Sequence, residues 1–465
     1  MTTATRLTAL DSGFLLAESP TTPLHVGSLS IFEGAPLRDE DGRIRIDEIM
    51  RLTAERLDVV PRFRQRLVDV PFGLGRPMWV DDPEFDISHH VRLVALPAPG
   101  DERQLRELCA SLHTELLDRS RPLWEMWFVD GLSGGRVALI EKIHHAMVDG
   151  VSSVDIAMAL LDLDPAPAHH EPAVWAPDPL PGRTRTFAGA VAELALEPLR
   201  LTTSAIGALR HPRRTLDRAR HLAGSFASVG RDALAPRSSL NTPIGGRDRR
   251  YEVVTLPLRD VRDVKTRAGV TLNDVVLASV AGGLRQLLLD RGEVVDGRTL
   301  HAMVPVSLRG DGDHLTLGNR VGTIIAPLPV GEADPHVRLR TVHDAMAQRK
   351  ACGQADASAA LVGLSDHLPP PVMGVVARSV HHQPLINVVV TNVPGPPVPL
   401  YLLGARMLET FPVVPVGGNL DVSIGIVSYD TQLTIGLLAD SVTCADVAAL
   451  AEGIEKSFAE LREAA

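Results

Sequence analysis

The chain has 465 residues, 45% apolar and 22% charged, enough for two domains or one large α/β unit with an insertion, and the mix of a folded globular protein rather than a disordered one. A net charge of −10 and an aromatic share of only 4% exclude the molecule as a whole from nucleic-acid binding. Cys109, Cys352 and Cys444 are odd in number and far apart, so they offer neither a disulfide framework nor a cysteine zinc site, and they suit a reducing cytosol.

The first twenty residues carry Arg6, Asp11 and Glu18 and no apolar run long enough for a signal peptide. Strand-like and helix-like runs then alternate to about residue 160. Trp127 to Val129 and Val137 to Ile140 flank a glycine-rich turn, Gly131 to Gly135, and predict a hairpin. Ser152 and Asp155 have capping-box spacing, with Ile156, Leu160 and Leu163 on one helical face behind them. Asp164 to Pro181 is rich in Pro and Ala, the composition of a linker. Residues 183–250 hold thirteen Arg against five acidic residues, net +8, which leaves −18 on the remainder. With Leu194, Leu201, Ile206 and Leu209 as a stripe, this segment reads first as a solvated crossover and second as a basic amphipathic element for anionic membrane. The predicted division is an N-terminal domain over 1–165, a linker and crossover over 166–245, and a C-terminal domain over 246–465.

In the second half, Thr271 and Asp274 again have capping-box spacing, and Leu277, Val280, Leu284, Leu287 and Leu288 predict an amphipathic helix. Leu385 to Val393 reads as a buried strand ending at Pro394-Gly395-Pro396. Val422 to Tyr429 and Gln432 to Leu438 read as a hairpin. A closing helix is predicted to be capped at Thr443 and to bury Val447, Leu450, Ile454, Phe458 and Leu461. The uncharged stretch from His381 to Ala405 contains five prolines, which a membrane-spanning helix could hardly accommodate, so no transmembrane segment is expected.

The sharpest chemical signal is Ile143-His144-His145-Ala146-Met147-Val148-Asp149-Gly150. Histidine pairs also occur at 89–90, 169–170 and 381–382, but only the pair at 144–145 follows an apolar strand and precedes Asp, Gly and a capped helix. Imidazole titrates near neutrality, so such a residue can take a proton from an alcohol and return one to a leaving group. Spacing alone leaves catalysis and a solvated pair with a structural Asp side by side. Gly131-Leu132-Ser133-Gly134-Gly135 matches G-x-S-x-G, yet a nucleophile elbow needs strand, turn and helix, and here a strand follows, which makes Ser133 a turn residue. His144 and His145 point to opposite sides of a strand, a poor arrangement for a metal, and no nucleotide-binding glycine fingerprint occurs.

HHAMVDG resembles the HHxxxDG motif of CoA-dependent acyltransferases related to chloramphenicol acetyltransferase and to peptide-synthetase condensation domains. LDSGFLLAESPTTPLHVG, RPLWEMWFVDGLSGGR, NDVVLASVAGGLRQLL, VPVSLR, GNRVG and TNVPGPPVPLYLLGAR narrow the resemblance to the bacterial wax ester synthase/diacylglycerol acyltransferase family, in order along nearly the whole chain. The resemblance implies an α/β fold of two chloramphenicol acetyltransferase-like domains, each a mixed β-sheet with flanking helices, and an active-site tunnel between them. It also implies that His145 is the general base, that His144 shapes the loop, and that Asp149 is a salt-bridging structural residue. Asn273 and Asp274 match the family's N-D pair in the first turn of a helix, where the positive helix end could help stabilise negative charge on the thioester or the CoA phosphates. Gly150, Trp124 and Ser423 are candidates for the tunnel, with packing preferred for Trp124. Ser423 stands where the family often has Asn, and Asp430-Thr431 where Asp-Gly or Asn-Gly is common, which bears on the acceptor pocket.

The reaction implied joins an acyl-CoA to a lipid alcohol, diacylglycerol ahead of a fatty alcohol, without an acyl-enzyme, a metal or any cofactor beyond the acyl-CoA co-substrate. A cytoplasmic enzyme, peripheral on the inner membrane or on lipid droplets, fits that reading. The competing readings are a catalytically silent paralogue that binds acyl-CoA or lipid, and an acyltransferase for another alcohol or an amine.

Overall fold

The computed structural model describes residues 4–71, 75–148, 156–166, 175–182, 234–307, 321–355 and 382–464, with a few isolated positions between them. The first half runs β1 (Thr5–Arg6), α1 (Ala9–Ala17), β2 (His25–Phe32), α2 (Ile46–Arg56), β3 (Gln65–Val68), β4 (Met78–Asp81) and β5 (Val91–Ala95). Helix α3 (Glu102–Thr114), β6 (Trp124–Asp130) and β7 (Val137–His144) follow. The second half has β8 (Arg249–Pro257), α4 (Leu258–Ala268), α5 (Leu272–Asp290), β9 (Leu300–Ser307), β10 (Val321–Leu328) and α6 (Pro335–Ala351). It closes with β11 (Val388–Pro394), β12 (Tyr401–Leu402), β13 (Ala405–Val413), β14 (Val422–Tyr429), β15 (Gln432–Asp440) and α7 (Val447–Ala464).

Two six-stranded mixed sheets organise these elements, in the orders β12-β13-β2-β7-β6-β5 and β10-β9-β11-β14-β15-β8, beside a small sheet β1-β4-β3. In the first sheet β5 and β6 are parallel, with α3 as the crossover that parallel strands need. In the second, β11 is parallel to both β9 and β14. This is the mixed α/β architecture of two units that the sequence led us to expect.

The division of the chain at 246 does not follow the sheets. Strands β12 and β13 come from the second half of the sequence but complete the first sheet, where Phe411 pairs with Leu29. The same strand lies against the second sheet. The Tyr251 hydroxyl donates to the Pro412 carbonyl at 3.0 Å, and a β-carbon on Gly436 would sit 1.9 Å from that same oxygen. Leu29, Ile31, Phe411 and Val413 share one buried cluster with Tyr251 and Leu438, so the halves are stitched through β13.

Several local expectations need adjustment. Leu163 is 61% exposed, because the helix containing Ile156 to Leu160 ends before it and Asp162 forms a bridge with Tyr401. Strand β11 starts at Val388, leaving residues 385–387 outside it. Helix α5 has the predicted capping box, but it is buried nearly all round rather than on one face, since it is packed against α6 and α7. It is the one helix among the described residues long and apolar enough to cross a bilayer, and it lies in the C-terminal core. Helix α7 buries the five predicted residues yet begins at Val447. Thr443 sits in the preceding turn, where its N–H donates to Asp440 Oδ1 at 2.9 Å. The predicted helix start at Ser152 and Asp155, and most of the basic segment 183–250, lie outside the described residues.

Candidate active site

Alternation along β7 sends Val137, Leu139 and Ile143 into the cluster around Trp124 and Phe32, and Ala138 and Ile140 into the one beneath α3. At its exit the two histidines therefore part. His144 is buried, whereas His145 is half-buried. The backbone N–H of His144 donates to Leu123 O and that of His145 to Leu24 O, each at 2.9 Å, which fixes the turn to the chain on both sides.

His144 Nδ1 accepts the Ala146 N–H at 3.0 Å, so the proton of the neutral ring belongs on Nε2. That nitrogen lies 3.3 Å from Glu18 Oε1. His25, paired with His144 across the ladder, brings its own Nε2 to 3.2 Å from the same oxygen. Arg119 donates to Glu18 Oε2 at 2.8 Å. Burial works to raise the Glu18 pKa, but His144, His25 and Arg119 outweigh it and hold the carboxyl far below the ordinary range. Burial also pushes the His25 imidazole down to about 4, so this ring is neutral at pH 7. Glu18 is thus an ionised hub that ties the end of α1 to the starts of β2 and of the histidine turn.

Helix α1 supplies a second hold. Phe14, one turn before Glu18, stacks on the His145 ring with centroids 4.0 Å apart and planes 18° from parallel. The Thr8 hydroxyl caps this helix by accepting the Asp11 N–H at 3.1 Å, and the Phe14 carbonyl accepts the Glu18 N–H at 3.0 Å. A crevice of about 260 Å³ opens beside the following loop, lined by Ser19, Thr21 and Thr22 from the first half and Pro243, Ile244, His382 and Gly418 from the second.

Asp149 and Gly150 lie outside the described residues. Asp274 is buried and occupied: its Oδ2 accepts the Thr271 N–H at 2.9 Å and lies 2.8 Å from His343 Nδ1. Its carboxylate is therefore a cap rather than a group free for CoA. Asn273, half-buried, uses its Oδ1 to accept from Asn392 Nδ2 at 3.2 Å, which leaves its own Nδ2 as a donor. Trp124 is fully buried, donates from Nε1 to Phe63 O at 2.8 Å and stacks on His90, so it packs the core instead of lining a tunnel. Ser423 is likewise buried, with its hydroxyl donating to Val414 O.

Ser133 sits in a short turn between β6 and β7, with Gly134 at φ 76° and Gly135 at φ 70°; this is strand–turn–strand, not an elbow. Cys109 and Cys444 are buried, which pushes the Cys444 thiol up to about 12 and disqualifies it as a nucleophile at neutral pH. No three His, Cys, Asp or Glu side chains converge as a metal-ligand set among the described residues.

Residues 7–276 match the wax ester synthase/diacylglycerol acyltransferase catalytic domain, and residues 317–462 match the WS/DGAT C-terminal domain. The chain belongs to this family of acyltransferases. Tgs1 of Mycobacterium tuberculosis, named as a probable diacylglycerol O-acyltransferase, is 36% identical over 98% of this chain and 95% of its own length. Tgs2 of the same species, named likewise, is also 36% identical, over 98% of each chain. The wax ester synthase/diacylglycerol acyltransferase from Marinobacter aquaeolei VT8 superposes with a TM-score of 0.71 at 29% identity, covering 99% of both chains. The first condensation domain of the CDA synthetase shares the fold alone, with a TM-score of 0.61 at 16% identity over 99% of this chain and 96% of its own.

Phe14, Glu18, His25 and Arg119 were not singled out from the sequence. Phe14, in the last turn of α1, and Glu18, the residue that caps its end, stand four apart, and this spacing is a local signal that joins these two.

Proposed function

We propose that this acyltransferase moves a fatty acyl group from acyl-CoA to the hydroxyl of diacylglycerol, giving triacylglycerol and free CoA, with a long-chain fatty alcohol as a second acceptor. His145 acts as the general base. Its imidazole takes the hydroxyl proton as the oxygen attacks the thioester carbonyl, and the tetrahedral oxyanion draws on Asn273 Nδ2 or backbone N–H groups. Collapse breaks the carbon–sulfur bond, and the imidazolium returns the proton to the departing CoA thiolate. Asp149 holds the turn by salt bridging. No cofactor beyond the acyl-CoA co-substrate enters this scheme.

One observation carries the assignment: His145 is the less buried member of the pair, held at its backbone by Leu24 and at its ring by Phe14, while His144 is buried against Glu18. A cytoplasmic enzyme docked peripherally on the inner membrane or on lipid droplets meets its acceptor where diacylglycerol resides. The test is CoA-thiol release from palmitoyl-CoA with diacylglycerol, monoacylglycerol, hexadecanol or an amine as acceptor. Fastest turnover with diacylglycerol is expected. Fastest turnover with an amine overturns the acceptor class, and binding of palmitoyl-CoA without release of thiol by any acceptor marks a silent paralogue.

A further inference from the structure

The stacking of Phe14 on His145 does more than fill space. A neutral imidazole and a benzene ring at 4.0 Å attract each other weakly, but an imidazolium over the same ring meets the negative face of its π-system. In the reaction proposed above, the ring passes from neutral to cationic as the acceptor hydroxyl is deprotonated. An interaction stronger in the charged state is stronger in the transition state than in the ground state, and only such a difference raises kcat.

We infer that Phe14 is a positioning residue that fixes the plane of the His145 ring and stabilises the imidazolium as it forms; this rests on His145 being the base. The setting supports it. Phe14 stands on the last turn of α1, and that turn is anchored one residue beyond the helix by Glu18, whose carboxylate grips His144 and His25. One helical turn therefore holds both members of the histidine pair, the buried one through its ring nitrogen and the half-buried one through its ring face. Phe14 is partly buried and packs against the N-terminal core, which fixes the ring that meets His145.

The experiment is steady-state kinetics with palmitoyl-CoA and diacylglycerol on Phe14→Leu, Phe14→Trp and full-length protein carrying fluorinated phenylalanines at position 14. Phe14→Leu is expected to lower kcat about 2- to 30-fold, the range that a cation–π contact spans, with KM for palmitoyl-CoA unchanged. Phe14→Trp restores kcat. Progressive fluorination, which keeps the ring shape while draining its negative face, lowers kcat stepwise and serves should Phe14→Leu fold poorly. A change confined to KM or Tm, or a fluorinated series with level kcat, overturns the inference. In a His145→Ala background, Phe14→Leu is expected to cause no further loss. Normal turnover by His145→Ala sinks the base assignment itself, whereas an inactive His145→Ala beside a level fluorinated series sinks the stacking inference alone.

Discussion

Replacing Glu18 by alanine removes one carboxylate that faces His25, His144, Arg119 and the Leu24 N–H, and the structure sets the size of the effect. His25 Nε2 at 3.2 Å and His144 Nε2 at 3.3 Å are both buried, so each loses its partner away from water, at about 1–3 kcal/mol per group. Arg119, with its side chain 47% exposed, finds water instead and adds little. Relief of the burial cost of Glu18 itself offsets part of the loss, leaving about 3 kcal/mol of destabilisation. Over 465 residues at about 2.1 cal/mol/K per residue, roughly 1 kcal/mol shifts Tm by about 1 °C, so the shift is about 3 °C if the stitched halves melt together. It is about twice that if the N-terminal half melts alone.

The same substitution should slow turnover beyond its cost in stability. Leu24 gives its N–H to Glu18 Oε1 at 3.4 Å and its carbonyl to the His145 N–H at 2.9 Å, so slack at Glu18 reaches the base through one residue. A displacement approaching 1 Å at a reacting group costs up to about 100-fold in rate. The pH dependence has a definite sign. Glu18 has a folded pKa below its unfolded value, so its contribution is fully present above the ordinary carboxylate range and is lost as pH falls from there toward the folded pKa. The Tm gap between wild type and Glu18→Gln should therefore narrow in acid. Thermal scans at pH 7.5 and at pH 3.5, with thiol-release kinetics at pH 7.5, check both parts. A Glu18→Ala protein with wild-type Tm and kcat would refute the reasoning.

Other perturbations separate the remaining roles. Because the folded pKa of His25 is pushed down to about 4 from an ordinary 6.5, the unfolded chain binds the extra proton first. Stability should fall as pH drops from 6.5 toward 4, and His25→Asn should flatten that slope in urea titrations. Asp274→Ala removes the N3 half of the capping box and the partner of His343, and should cost about 1–3 kcal/mol while leaving KM for acyl-CoA unchanged. A tenfold rise in KM with the fold intact would return Asp274 to CoA binding. Gly436→Ala drives a methyl to 1.9 Å from the Pro412 carbonyl, so it should unfasten the seam between the halves and yield aggregated protein; a soluble variant with normal Tm contradicts the packing described. Ser133→Ala, in an exposed hairpin turn, should leave thiol release intact.

What the sequence disclosed was local. The β6–β7 and β14–β15 hairpins could be read because alternation and turn residues lie within a dozen positions of one another, and the α5 capping box lies within four. Even Asp430, at φ 48° in the second hairpin, keeps a turn-compatible residue where a glycine would be easier. The sheet that β13 joins was not legible: the strand follows a proline-rich run, and Leu29, the partner of its Phe411, is hundreds of residues away in sequence. All-round burial of α5 was hidden for a related reason, since periodicity reports one apolar face and says nothing of helices packed on the others. The histidine pair was visible as chemistry, yet its supports were not. Glu18, His25, Arg119 and His144 converge from four separated segments, and no spacing rule connects them. Trp124 shows the converse, a motif residue whose neighbours His90 and Phe63 make it core.

The most direct trial of the account is the rate of diacylglycerol-dependent CoA release by folded His145→Gln, measured beside wild type under saturating palmitoyl-CoA. Loss of the base should lower kcat by about 10²- to 10⁴-fold with Tm within a few degrees of wild type. Turnover at the wild-type rate would contradict the account and require the hydroxyl proton to leave by another route.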